Sequence, residues 1–166
     1  MEAGNFKKHE GKNRLKELAE DIKICMMITG LHENELNAVP MTTKKVDDEG
    51  NIWFLSLKDS LHNRQIHHDP KVQLLYSDPV KMEFLNVSGN AEINQDQTIL
   101  EDLFDEETDN WFEEIEKEKL TAIKFIPEKA HYWDTQTNKY EALYHLGIAT
   151  LTGEEKHSGD KGKLSL

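Results

Sequence analysis

One stretch brings hydroxyl and cationic groups to the end of an apolar run. In "NIWFLSLKDSLHNRQI", Asn51 to Ile66, the run stops at Lys58-Asp59-Ser60, and Leu61, Gln65 and Ile66 then recur at roughly helical spacing. A strand that ends beside a hydroxyl and the cations Lys58 and His62, then enters a helix, suits an anion. The unpaired N–H groups of a helix's first turn and its dipole both favour negative charge there. Ser60 can donate its hydroxyl, and Lys58, Lys44 or His62 can add charge. The same serine serves equally as an ordinary helix N-cap.

Other reactive side chains are less well arranged. His62, His67 and His68 fall in one expected helix at offsets of five and six, which does not stack them on one face as i,i+4 would. No metal site is expected. Ser60 and His62 sit two apart with no G-x-S-x-G elbow, so a serine hydrolase is not expected either. The single cysteine, Cys25, lies among apolar neighbours in "IKICMMITGL" and reads as a buried, inert thiol. One cysteine allows no internal disulfide and fits a reducing compartment, so a cytoplasmic location is expected. No strand leads into a G-x-G-x-x-G helix start, which argues against a Rossmann dinucleotide site.

The elements that must position these groups follow from pattern. At 166 residues and 37% hydrophobic, the chain fits one domain with a real core. The net charge of −12 opposes nucleic acid as a partner. No apolar run approaches the ~20 residues of a membrane span, and the polar leader has no secretory signal. Glu101 to Glu118 holds ten acids and one lysine, either a solvated face or an acidic docking surface.

Leu15, Leu18, Ala19 and Ile22 predict an amphipathic helix behind Asn13 as cap. "KICMMITGL" and "LNAVPMTTKKV" predict a hairpin, with Pro40 on an edge or a bulge. "DDEGN" is a turn into the Asn51–Ile66 stretch. "KVQLLYSD" and "MEFLNVSGNAEI" read as strands, and Gln95 to Phe112 as an acidic helix. "LTAIKFIPEKAHYWDT" reads as a strand pair broken at Pro127, and "KYEALYHLGIATLTG" as a closing helix. Six or seven short strands with helices between them make a mainly β, α+β or barrel-like domain.

The succession "VPMTTK", "GNIWFLSLKDSLHNRQIHHDPKVQLLYSDP", "FLNVSGNAEI" and "AHYWD" resembles the pyridoxamine 5'-phosphate oxidase-like, FMN-binding split-barrel family, in its general-stress-protein branch. The likeness runs from about Leu15 to Leu151. It implies a six-stranded antiparallel split β-barrel with flanking helices, spanning residues 13–153 between a flexible polar leader (1–12) and a polar tail (154–166). It also implies a homodimer with flavin, FMN or FAD in its place, at the subunit interface.

By the same resemblance Val39-Pro40-Met41-Thr42-Thr43-Lys44 is the phosphate-binding strand, with Met41 and Thr42 along the flavin ring. Leu55, Ser56 and Leu57 line the flavin, and Ser60, Leu61 and His62 form the phosphate turn. Trp111 and Trp133 match recurring aromatic positions, where one approaches the cofactor from the partner subunit or both pack in the core. The chain departs from the family in Val39, where arginine is common, in His62, where lysine is usual, and in "EEIEKEKL" after Trp111-Phe112. These departures thin the cationic grip on a phosphate. The tail lacks the arginine- and histidine-bearing segment of true pyridoxamine phosphate oxidases, so vitamin B6 oxidation is not expected.

The expected function is an FMN-dependent oxidoreductase of the general-stress type, with no nameable acid or base and with electron donor and acceptor unassigned. The alternatives are a non-catalytic binder of flavin or a tetrapyrrole, and a cofactor-free dimeric interaction module.

Overall fold

The computed structural model describes residues 2–105, 117–134, 160–164 and 166. Helix α1 (Glu2–Ile22) leads into strands β1 (Ile24–Thr29), β2 (Asn37–Thr42), β3 (Lys45–Val46) and β4 (Ile52–Leu57). Helix α2 (Leu61–His68), β5 (Lys71–Asp78), β6 (Glu83–Asn94) and α3 (Gln97–Leu103) follow. A 3-10 turn (Lys117–Lys119), β7 (Leu120–Asp134) and β8 (Asp160–Leu164) complete the described elements. All the pairings are antiparallel, in the order β2-β1-β5-β6-β7-β4-β3, with β8 added alongside β7. The sheet curls into a half-barrel, and β2 meets β4 across the split. This is the expected split barrel: six principal strands, with β3 and β8 added to them.

Strand alternation sorts the side chains. Cys25 and Met27, Met41, Ile52 and Phe54, Leu74 and Tyr76, Leu85 and Val87, and Ile123 and Phe125 face one core. Leu15, Leu18 and Ala19 of α1 plug that core, as their spacing predicts. Strand β4 is buried on both faces: Trp53 and Leu55 join a second cluster with Leu100 and Leu103 of α3 and with Leu120 and Ala122. This explains why Ile52–Leu57 reads as a continuous apolar run and not an alternating one.

Four expectations are corrected or fall outside the described residues. Helix α1 runs back to Glu2 and does not begin at Asn13. The segment around Pro127 is one 15-residue strand, because Pro127 sits at a bulge where β6 changes register between Ser88 and Gly89. Its missing N–H is therefore tolerated without breaking the strand. Part of the polar tail forms β8, with Leu164 buried in the core. The acidic helix expected over Gln95 to Phe112 ends at Leu103, where Phe104 turns extended as its C-cap, and Trp111, most of the acidic segment and the expected closing helix over 139–153 lie outside the described residues. No described helix is long and apolar enough to cross a membrane.

Candidate functional site

The turn after β4 is closed by a helix N-cap. Ser60 is the N-cap of α2 in an extended conformation, and its Oγ accepts from the Asn63 N–H at 3.3 Å. The first helical bond runs from Arg64 N–H to the Ser60 carbonyl at 3.2 Å. The N–H groups of Leu61 and His62 thus belong to the orphan donors of a helix start. Ser60 Oγ is 3.4 Å from Ser56 Oγ, long for a bond between hydroxyls, so its proton can serve a stronger acceptor.

Below the turn lies a buried polar network. Ser56, only 4% exposed, donates its one proton to Asn63 Oδ1 at 2.9 Å. Asn63 Nδ2 donates to Thr121 Oγ1 at 2.8 Å, and that hydroxyl reaches the Ser56 carbonyl at 3.4 Å. Because the Ser56 proton is committed, His62 Nε2, 2.6 Å from Ser56 Oγ, must be the donor in their contact. Burial pushes the His62 pKa below the ordinary histidine value. The free protein therefore holds a neutral imidazole with its proton on Nε2, and Nδ1 is left as an acceptor.

The sequence-derived candidates divide by strand face. Pro40 and Thr42 are exposed on β2, while Met41 between them is buried in the core. Only Thr42 of the Met41–Thr42 pair presents its side chain outward, and Met41 can offer backbone alone. Pro40 lies on the edge strand, where a missing donor costs no ladder bond. Leu55 is buried beneath α3, and Leu57 packs half-buried against the same cluster. Ser56 is inside the polar network, Leu61 is 48% exposed on the first turn of α2, and Lys44 is half-buried.

Trp133 is 43% exposed and pairs with Phe84. It lies four strands along the curled sheet from Thr42. Asn63 and Thr121 are the residues that sequence reasoning missed. The signal available for Asn63 was its place three residues after a capping serine.

Elsewhere, Cys25 is buried, and burial pushes its thiol up to about 12, which makes it the inert thiol its neighbours suggest. Among the described residues no group of three His, Cys, Asp or Glu side chains is arranged to hold a metal ion.

The sequence model of the family described as "Pyridoxamine 5'-phosphate oxidase like" matches residues 10–157. Among solved structures, a general stress protein 26 homologue from Jannaschia sp. CCS1 is 24% identical with a TM-score of 0.67, covering 95% of this chain and 97% of its own. A protein from Clostridium acetobutylicum related to general stress protein 26 of Bacillus subtilis is 23% identical with a TM-score of 0.63, covering 78% and 92%. A pyridoxamine 5'-phosphate oxidase-related, FMN binding protein from Nostoc punctiforme is 12% identical with a TM-score of 0.58, covering 78% and 83%. At these identities the likeness shows the fold. No curated protein matches the chain significantly.

Proposed function

Because the chain belongs to the pyridoxamine 5'-phosphate oxidase-like family, we propose that it is a flavin-binding protein of the general-stress type. In this reading FMN, or FAD in its place, occupies the split between β2 and β4, and a homodimer completes the site. The carrying observation is the turn at the end of β4, where Ser60 O–H and the N–H groups of Leu61 and His62 converge outside a buried network. This donor set fits a phosphate, and its fixed charge is low, since Val39 and His62 stand where arginine and lysine are common in the family.

A bound flavin supplies electron-transfer chemistry. The chain supplies the rest: Pro40 and Thr42 as an outward wall, the turn as an anchor, and β4 as a backbone edge held rigid by burial on both faces. The homodimer is supported by the exposed face of the sheet. In register across three strands, Pro40, Met26 and Leu75 form an exposed apolar row, with Ile24 beside it. Contiguous exposed apolar surface of this kind marks an interaction site.

The test is direct. The full chain is purified, the absorbance near the flavin bands is read, and any released ligand is identified by mass spectrometry. Stripped protein is then titrated with FMN. Saturable binding is expected, with turnover of NADH or NADPH against an electron acceptor if the protein is an oxidoreductase. Neither co-purified flavin nor saturable FMN binding would remove the flavin reading and leave a cofactor-free dimer.

A further inference from the structure

Where α1 crosses the start of β6 and the end of β7, one carboxyl group is left without a donor. Glu83 opens β6, and the alternation that buries Leu85 and Val87 turns Glu83 to the same inner side of the sheet. Its Oε2 is shut off from solvent and has no hydrogen-bond partner among the described residues. Leaving a buried carboxylate oxygen unpaired is costly, and more so beside a second negative charge.

That second charge is Asp134, the last residue of β7, which is 9% exposed. The register Leu85↔Tyr132 and Phe84↔Trp133, continued by one step, sets Asp134 directly opposite Glu83. Cβ atoms across such a pair stand about 4.5–5.5 Å apart, and like charges there repel. The row runs on at both sides: Asp78 of β5 faces Glu83, and Asp160 of β8 faces Asp134.

The cations nearby are already engaged. Arg14 of α1 reaches down to Asp134 Oδ2, donates to Glu17 Oε2 at 2.7 Å and stands over the Tyr132 ring. Lys81, in the β5–β6 turn, pairs with Asp21 of α1. Asp78 Oδ1 accepts from the Val80 and Lys81 N–H groups at 2.9 and 3.1 Å. Glu83 is left out of all these bonds. A proton of its own would remove its charge and give it an O–H to donate.

We infer that Glu83 and Asp134 share one proton at the seam between α1 and the sheet, an acid-fastened clasp that loosens when the proton leaves. With Asp134 held ionised by Arg14, the proton sits on Glu83 and is donated across the strand pair. Burial first, and the Asp134 charge second, raise the Glu83 pKa above the ordinary glutamate value; Lys81 and Arg14 oppose the rise and Asp21 adds to it. A carboxyl whose pKa is raised by folding binds its proton more tightly in the folded chain. Its contribution to stability is complete below the unfolded pKa and is lost as pH rises through the folded one.

Carboxyl-carbon NMR and thermal unfolding of the full chain test the clasp between about pH 4 and about pH 8. Glu83 should titrate above the ordinary glutamate range, and Asp134→Asn should move its midpoint down. Glu83→Gln stands in permanently for the protonated acid. It should match the unaltered chain in Tm near the acid end and exceed it by roughly 2–4 °C at the alkaline end. Protection of α1 amides, corrected for the intrinsic pH dependence of exchange, should fall with rising pH in the unaltered chain and not in Glu83→Gln. A Glu83 midpoint in the ordinary range, a midpoint indifferent to Asp134→Asn, or Tm curves that run parallel would each overturn the clasp. If Glu83→Gln does not fold, the carboxyl titration of the unaltered chain decides alone.

Discussion

Ser56 has one proton and commits it to Asn63, so His62 can touch an incoming phosphate as a donor only from Nδ1. In the free protein Nδ1 carries no proton, because burial holds the His62 pKa below its ordinary value. If FMN binds with its phosphate on His62 Nδ1, binding at neutral pH should take up a proton. The sign follows: phosphate raises the His62 pKa, so affinity is highest at low pH and falls as pH rises through the pKa of the free protein. It levels off above the pKa of the complex. The second ionisation of FMN, near pH ~6, opposes this at the acid end.

Calorimetry in buffers of different ionisation enthalpy should show net proton uptake with FMN and none with riboflavin. His62→Lys should bind FMN without uptake at neutral pH. Equal uptake with both ligands would exclude His62 as the phosphate contact. Ser60, Leu61 and His62 were legible in the sequence because a turn and its cap are local. Asn63 and Thr121 were not, because 58 residues separate the two partners and only the fold brings them together.

At the scale of elements, β7 shows what pattern cannot decide. A proline in a long apolar segment reads as a break, but a bulge in the neighbouring strand pair absorbs it. Gly89 faces Pro127 in the register and Ser88 faces Lys129, which leaves Glu128 as the extra residue. At Gly89 the strands come so close that an added Cβ would lie 2.2 Å from the Ile126 carbonyl oxygen and 2.9 Å from the Phe125 ring. Gly89→Ala must push backbone aside and should cost about 1–3 kcal/mol.

For a domain of this size each kcal/mol lowers Tm by roughly 2–4 °C. Thermal unfolding followed by circular dichroism should show that loss, and an unchanged Tm would mean that the two strands do not approach closely there. The hairpins and α2 were legible because turn residues bound them. β8 was not, because "DKGKL" has no strand pattern of its own. It pairs with β7 and buries Leu164 in a core built by distant residues.

For the whole molecule, the exposed row Pro40–Met26–Leu75 gives a test of the homodimer. Met26→Asp or Leu75→Asp puts a charge where the single chain is open to water and should leave its fold intact. The same charge would be desolvated in a symmetric interface. Light scattering should report a dimer for the unaltered chain and a monomer for either variant, with FMN affinity lost in parallel. A monomeric unaltered chain that still binds FMN would show that one subunit suffices.

The order of the strands also governs when the site can exist. The Ser56 carbonyl meets its Thr121 partner 65 residues later, and among the described strands β7 is the long neighbour of β4. During synthesis the chain emerges from its N-terminus, and closing so long a loop is slow. β1, β2 and the α2 turn will all have left the ribosome with the floor of the turn still missing. A nascent or prematurely ended chain therefore lacks the floor of the turn, and if the turn holds a flavin phosphate, capture should begin only once synthesis has passed Thr121.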